Sequence, residues 1–140
     1  MSRRTKLTST VLVIDGDTAL TTMLKTILEL RAFSVMTAHQ VHEGIEIARE
    51  KKPDVIVLDL YMAGSDGGKI CRSIREFTQV PILVTSAMNK PGSVAQALNE
   101  GADDYLIKPV PAGVLVAHLN NLIRRAHTES IVRTAPVNPL

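Results

Sequence analysis

The sequence is poor in cysteine and aromatic residues and contains no long hydrophobic run. Cys71 is the only cysteine among 140 residues, so no internal disulfide can form, and we expect the protein to work in the cytoplasm, a reducing compartment. Tryptophan is absent, and Tyr and Phe number two each, which leaves few platforms for stacking on single-stranded bases. No apolar stretch approaches the roughly 20 residues of a membrane span, so we expect no membrane contact. We interpret Cys71 as a small apolar residue of a helix, with redox sensing as the alternative.

The net charge of +2 comes from the two ends of the chain. Residues 7–123 contain 10 Lys/Arg and 13 Asp/Glu, whereas the remaining residues contain 6 and 1. An acidic central part with basic ends is a poor candidate for a basic nucleic-acid-binding face. We therefore expect no direct contact with nucleic acid.

Five short apolar runs alternate with segments of helical periodicity. The runs are 11–14, 34–36, 55–58, 82–84 and 105–107. Three of them are continuous and rich in β-branched residues, which is typical of strands covered on both faces. Apolar side chains recur at helical spacing between and after the runs, in the sets Leu20/Met23/Leu24/Ile27/Leu28, Val41/Ile45/Ala48, Ile70/Ile74/Phe77, Val94/Leu98 and Leu115/Leu119/Leu122/Ile123. This alternation predicts an α/β fold, a doubly wound three-layer sandwich around a parallel five-stranded sheet.

Polar side chains follow four of the five predicted strands. Asp15 and Asp17 follow the first, Asp59 the third, Ser86 the fourth and Lys108 the fifth. Ligands of open α/β sheets bind beyond the carboxyl ends of the strands. In the strand order 2-1-3-4-5 the two aspartates Asp15 and Asp59 would converge, with Ser86 and Lys108 on the far side. Carboxylate oxygens suit Mg²⁺, a carboxylate beside it can attack phosphorus, and a lysine with a hydroxyl can stabilise phosphoryl oxygens.

Four segments carry a family resemblance, namely Val11–Asp17, Asp54–Gly67, Val80–Ala87 and Gly101–Pro109. In this order and spacing they resemble the receiver domain of bacterial two-component response regulators. The resemblance covers residues 9–126 and implies a flavodoxin-like sheet of order 2-1-3-4-5. Residues 1–8 are then a tail, and residues 127–140 are a second tail or the start of a linker.

The resemblance implies a role for individual residues at a phosphorylation site. Asp59 matches the phospho-acceptor, and Lys108 matches the phosphate-binding lysine. Asp15 matches the first member of the acidic pair that binds Mg²⁺, and Tyr61 would offer its backbone carbonyl to the same metal. The bond between Lys108 and Pro109 matches one that is usually cis in the family.

The resemblance also implies a switch. Ser86, five residues after Pro81, matches the switch hydroxyl, whereas Thr85 comes one residue too early. Tyr105 matches the aromatic residue that swings inward when the hydroxyl moves toward the phosphoryl group. The surface formed by the fourth helix, fifth strand and fifth helix would then change, and it is a candidate surface for a homodimer.

The sequence departs from the family pattern at three positions. Gly16 occupies the place of the second metal-binding carboxylate, so we expect weakened Mg²⁺ binding. Its neighbour Asp17 is either a helix cap or a substitute ligand. Ala63 replaces the usual proline of the acceptor loop, and Pro111 stands where the fifth helix often has an aspartate cap.

Two functional hypotheses follow. In the first, a sensor histidine kinase or phosphotransfer protein phosphorylates Asp59, and the protein acts as a regulator in phosphorelay signalling rather than as an enzyme. In the second, the loss of a carboxylate at Gly16 leaves a phosphorylation-independent protein-interaction module. A flavodoxin-like cofactor carrier fits less well, because the aspartates after the first strand would repel a phosphate.

Overall fold

Five strands and five helices alternate along the chain, as the apolar pattern predicts. The computed structural model describes residues 8–62, 66–87 and 91–134, with side chains described up to Glu129. The elements are β1 (Ser9–Ile14), α1 (Thr18–Glu29), β2 (Phe33–Ala38), α2 (Val41–Lys51), β3 (Val55–Asp59), α3 (Gly67–Arg75), β4 (Ile82–Ser86), α4 (Pro91–Asn99), β5 (Asp104–Ile107) and α5 (Ala112–Thr134). The departure at Ala63 and nearly all of the predicted tail at residues 1–8 lie outside the described residues.

The five strands form one parallel sheet in the order β2-β1-β3-β4-β5. The predicted fold class and strand order are therefore confirmed. Strand β1 pairs with β2 and β3, and its last residue, Ile14, lies opposite Leu58 of β3. This register brings the carboxyl ends of β1 and β3 to the same edge of the sheet.

Alternating side chains of the strands supply two separate cores. Leu12, Ile56 and Val84 point toward the face covered by α2, α3 and α4. Their neighbours Val13, Val57 and Leu83 point toward the face covered by α1 and α5. Burial on both faces explains why the strands are continuous apolar runs rather than alternating ones.

Arg75, the last residue of α3, binds the segments that lead into β4 and β5, at the amino-terminal edge of the sheet. Its guanidinium donates hydrogen bonds to the carbonyl oxygens of Gly101 and Val80 and to the carboxylate of Asp103. Asp103 in turn accepts a hydrogen bond from the backbone N–H of Ile82. Gly101 has a φ of 119°, a conformation that side-chain-bearing residues rarely adopt.

The structure differs from the predicted pattern in three details. Met23 and Leu98 belong to apolar sets of α1 and α4, yet their exposed fractions are 51% and 44%. Helix α5 continues to Thr134, so the first eight residues of the predicted C-terminal tail or linker are helical. At the other end of α5, the carbonyl of Pro111 accepts the N–H of Leu115, so the proline precedes the helix without interrupting it.

In the part of the chain described here, no helix is both long and apolar enough to cross a membrane.

Candidate functional site

Two aspartates meet at the carboxyl edge of the sheet. Asp15 follows the last residue of β1, and Asp59 is the last residue of β3. Because Ile14 and Leu58 are paired across the parallel ladder, the next residues, Asp15 and Asp59, leave the sheet side by side. Asp15 is almost fully buried, with 3% of its surface exposed. The convergence predicted from the strand order is therefore present.

Lys108 lies within reach of both aspartates. Its Nζ is 2.8 Å from Oδ2 of Asp15 and 3.6 Å from Oδ1 of Asp59. Its backbone N–H donates to the carbonyl of Ser86 at 2.8 Å, and the peptide bond to Pro109 is cis. The strand order predicts that Lys108 lies on the far side of the carboxylates, whereas in the structure its ammonium group contacts each of them.

The charge balance of this cluster is negative, since two carboxylates face one ammonium. Burial and the negative charge of Asp15 raise the pKa of Asp59, while Lys108 and the N–H of Tyr61 act in the opposite direction. Concentrated negative charge of this kind is relieved by a bound cation. The site therefore favours a bound cation beside Asp15 and Asp59.

Two hydroxyl residues end β4 beside the aspartates. Ser86 is fully buried, and the alternation of the strand turns it toward the same face as Val84. Thr85 is paired with Asp59 in the ladder, and its carbonyl accepts the N–H of Leu60. Thr85 also lines a cavity with Asp15 and Lys108, so it lies at the site although its spacing from Pro81 does not match that of the switch hydroxyl.

Comparison with known proteins gives the family. The model of the response regulator receiver domain matches residues 11–120. This chain belongs to that family. The receiver is 40% identical over 120 residues to the transcriptional regulatory protein AfsQ1 of Streptomyces coelicolor, an alignment that covers 86% of this chain and 53% of the relative. The chain thus spans about half the length of the curated relatives it matches.

Two solved structures are similar to the receiver along nearly its whole length. A two-component response regulator from Clostridium difficile has a TM-score of 0.81 at 36% identity, covering 84% of this chain and 98% of that one. A response regulator from Burkholderia pseudomallei, whose structure contains a phosphorylated aspartic acid and a calcium ion, has a TM-score of 0.76 at 26% identity and covers 93% and 77%. The resemblance found in the sequence is confirmed. Because the first relative is a transcriptional regulator by name, the expectation of no direct contact with nucleic acid finds no support.

The two tyrosines of the receiver occupy different environments. Tyr61 is 45% exposed; its N–H donates to Oδ1 of Asp59 at 3.3 Å, and its hydroxyl donates to Oγ of Ser93, in α4, at 2.6 Å. Tyr105 is partly buried and packs against the core beneath α2, α3 and α4. Ser93 was not among the predicted site residues, since it is 32 positions from Tyr61 and belongs to no motif.

The residues available for a cation are all oxygen donors. Asp15, Asp59 and the carbonyl of Tyr61 are of the type that Mg²⁺ accepts, and burial, together with the negative charge of Asp15, raises the pKa of Asp59. The donor set therefore fits the metal, but with few protein ligands: among the described residues no three His, Cys, Asp or Glu side chains form a metal-binding group. Asp17 caps α1, its Oδ1 accepting the N–H of Leu20 at 3.0 Å, which leaves its predicted ligand role without support.

A largely apolar cavity of about 360 Å³ adjoins Asp15 and Lys108. Leu20 and Leu24 of α1 and Leu115 of α5 form part of its wall, and Thr85 and Asp15 form its polar end. The site consequently has a charged side toward β3 and an apolar side toward α1 and α5.

Proposed function

We propose that the receiver accepts a phosphoryl group on Asp59 from a sensor histidine kinase or a phosphotransfer protein. The observation that carries this proposal is the position of Lys108, whose Nζ lies 2.8 Å from Asp15 and 3.6 Å from Asp59. An ammonium at this point can neutralise the oxygens of a group attached to Asp59. The protein acts as a regulator in a phosphorelay rather than as an enzyme with turnover, and the cytoplasm is its proposed location.

The chemistry is an in-line displacement at phosphorus. A carboxylate oxygen of Asp59 forms a bond to the phosphorus of a phosphohistidine, the P–N bond breaks, and the released imidazole nitrogen takes up a proton. The product is an acyl phosphate on Asp59. Lys108 is then the nearest cation to the new phosphoryl oxygens, and the hydroxyl of Ser86, at the end of the adjacent strand, is the candidate for a second contact.

Asp15, Asp59 and the backbone carbonyl of Tyr61 are the residues that would hold Mg²⁺ in this receiver. When bound, the ion supplies positive charge that offsets the negative charge of the phosphoryl group. Gly16 contributes no ligand, so we expect the affinity to be lower than that of a site with three carboxylates. The Burkholderia pseudomallei relative, with a phosphorylated aspartic acid and a calcium ion in one structure, supports the pairing of a divalent cation with this modification.

The proposed consequence of phosphorylation is a shift between two states of the domain. Ser86 moves toward the phosphoryl group and Tyr105 moves further inward, which changes the surface formed by α4, β5 and α5. A homodimer through this surface is part of the proposal. A bias of only a few kcal/mol between the states is needed, which is within the reach of one charged group and its new hydrogen bonds.

A mass measurement tests the acceptor. Incubation with Mg²⁺ and acetyl phosphate should increase the intact mass by one phosphoryl group, and Asp59→Asn should abolish the increase. Asp54→Asn is the matched control, because Asp54 lies at the opposite end of β3, where its carboxylate accepts the N–H of Thr10. The control should gain the same mass as the unaltered protein.

Two results would count against the proposal. The first is the absence of any Mg²⁺-dependent mass increase in a folded protein, which would favour the phosphorylation-independent interaction module. The second is an increase that persists in Asp59→Asn, which would place the modification on another residue.

A further inference from the structure

A hydrogen bond from the hydroxyl of Tyr61 connects two segments of the chain. One is the segment that follows Asp59 after β3, called here the acceptor loop, and the other is the first turn of α4. Tyr61 Oη lies 2.6 Å from Oγ of Ser93. At its other end, the N–H of Tyr61 is bonded to Oδ1 of Asp59. One residue therefore contacts both the candidate phosphorylation site and a helix of the surface expected to change.

Within the residues that the structure describes, helix α4 is held by few buried side chains. Of the nine residues of α4, Ala97 is the one fully buried, and a gap of about 30 Å³ separates the helix from the loop around Leu60. Just past the other end of α4, Glu100 is paired with Arg72 of α3. An element with few buried contacts opens at low cost in free energy, and a single hydrogen bond at its first turn can decide where it lies.

We propose that the Tyr61–Ser93 hydrogen bond is a latch that holds α4 against the acceptor loop in the unphosphorylated receiver. The biological role of the latch rests on the proposed function, but the link between Asp59, Tyr61 and Ser93 exists in the unphosphorylated protein. Tyr61 and Ser93 are positioning residues: neither side chain is assigned a contact with the phosphoryl group. By reciprocity, whatever displaces the loop at Asp59 weakens the hold on α4, and release of α4 frees the loop.

Removal of the latch should favour phosphorylation. Because the bond is present in the unmodified state, its loss destabilises that state relative to one in which α4 has moved. A neutral hydrogen bond is worth on the order of a two- to tenfold change in an equilibrium. We expect Tyr61→Phe and Ser93→Ala each to raise the steady-state fraction of phosphorylated protein by such a factor at limiting acetyl phosphate.

Variants of both partners separate a latch from two independent effects. The double variant should equal the stronger single variant, since the same bond cannot be lost twice. Ser93→Thr keeps the hydroxyl and should return the fraction toward that of the unaltered protein. Ser34→Ala is the matched control, because Ser34 is an exposed serine on β2, at the edge of the sheet far from α4, and should change nothing.

Amide NMR of the unmodified protein tests the latch without any phosphorylation. Ser93→Ala should shift the amide resonances of Asp59 and Tyr61, and Tyr61→Phe should shift those of α4. Absence of these reciprocal shifts overturns the inference. So does an additive effect of the two substitutions on the phosphorylated fraction, or failure of Ser93→Thr to restore the resonances. If the shifts appear but Asp59 gains no phosphoryl group, the proposed function fails and the latch stands.

Discussion

At the scale of single residues, Gly16 stands where the family resemblance predicts a second metal-binding carboxylate. An ideal Cβ built there would have the carbonyl oxygen of His39, at 4.0 Å, as its nearest neighbour beyond the adjacent chain, and the backbone is not in the left-handed region. Space and conformation therefore permit a larger residue. The missing carboxylate is a matter of chemistry rather than of packing, and it can be restored.

We expect Gly16→Asp to tighten Mg²⁺ binding by on the order of tenfold. A charge pair at 4 Å is worth about 4 kcal/mol at an effective dielectric constant of 20, and repulsion from Asp15 and Asp59 offsets part of that gain. Titration followed by tyrosine fluorescence or amide NMR measures the change. Gly16→Asn, of the same size and without charge, should gain much less; equal affinity of the Asp and Asn variants would refute the electrostatic explanation.

At the scale of elements, two glycines in helices have opposite surroundings. Gly44 of α2 lies against Ile14 of β1, and a Cβ there would come within 2.7 Å of the Ile14 side chain. Ile14 is fully buried and has little room to move. Gly113, in the first turn of α5, has no atom near its ideal Cβ. The same residue type is therefore a packing requirement in one helix and a weakness in another.

The substitution Gly→Ala should have opposite effects at these two positions. Gly44→Ala should lower the free energy of unfolding by about 1–3 kcal/mol, because the core must shift to admit the methyl group. Gly113→Ala should raise it by up to about 1 kcal/mol, since alanine is the better helix former and meets no obstacle. Urea denaturation followed by circular dichroism distinguishes the two, each variant serving as the control for the other. Effects of equal sign would contradict this account.

At the scale of the whole molecule, the central sheet joins two cores that do not touch each other directly. Cys71 is fully buried on the side of α2, α3 and α4, and burial raises the pKa of its thiol to about 11. The packing role expected from the sequence is present, and the folded thiol is both covered and protonated at neutral pH. Leu119 of α5 is fully buried on the opposite side. If the two cores unfold as one cooperative unit, a substitution that destabilises one core lowers the free energy of unfolding of both.

We expect Leu119→Ala to expose Cys71 to thiol reagents at a lower urea concentration. The cavity should cost about 2–5 kcal/mol, and two-state unfolding predicts equal shifts of the midpoints measured by circular dichroism and by Cys71 labelling at pH 8. Val114→Ala, on the exposed side of the same helix, should shift neither midpoint appreciably. Labelling of Cys71 well before the circular dichroism transition would reveal two independently unfolding layers.

Local pattern was enough to predict the architecture and most of the site. Continuous β-branched runs and 3.6-residue periodicity reflect burial on two faces or on one, so they identified the strands, the helices and the sheet. Parallel strands end at a common edge, but bringing Asp15 and Asp59 together also required the 2-1-3-4-5 strand order, which the family resemblance implied and the structure confirms. The same reasoning gave no signal for residues 127–134, which lack an apolar stripe; the structure continues α5 through them, and no proline or glycine interrupts that stretch.

The sequence by itself determined that the chain forms an α/β sheet with two aspartates, hydroxyls and a lysine at one edge, because periodicity and strand ends are local properties. Only the tertiary structure decided that Lys108 contacts both aspartates, that Tyr61 reaches Ser93, and that Met23 and Leu98 are exposed. These outcomes depend on how the helices cross back over the sheet. Residues separated by tens of positions meet through that geometry, and no spacing along the chain encodes it directly.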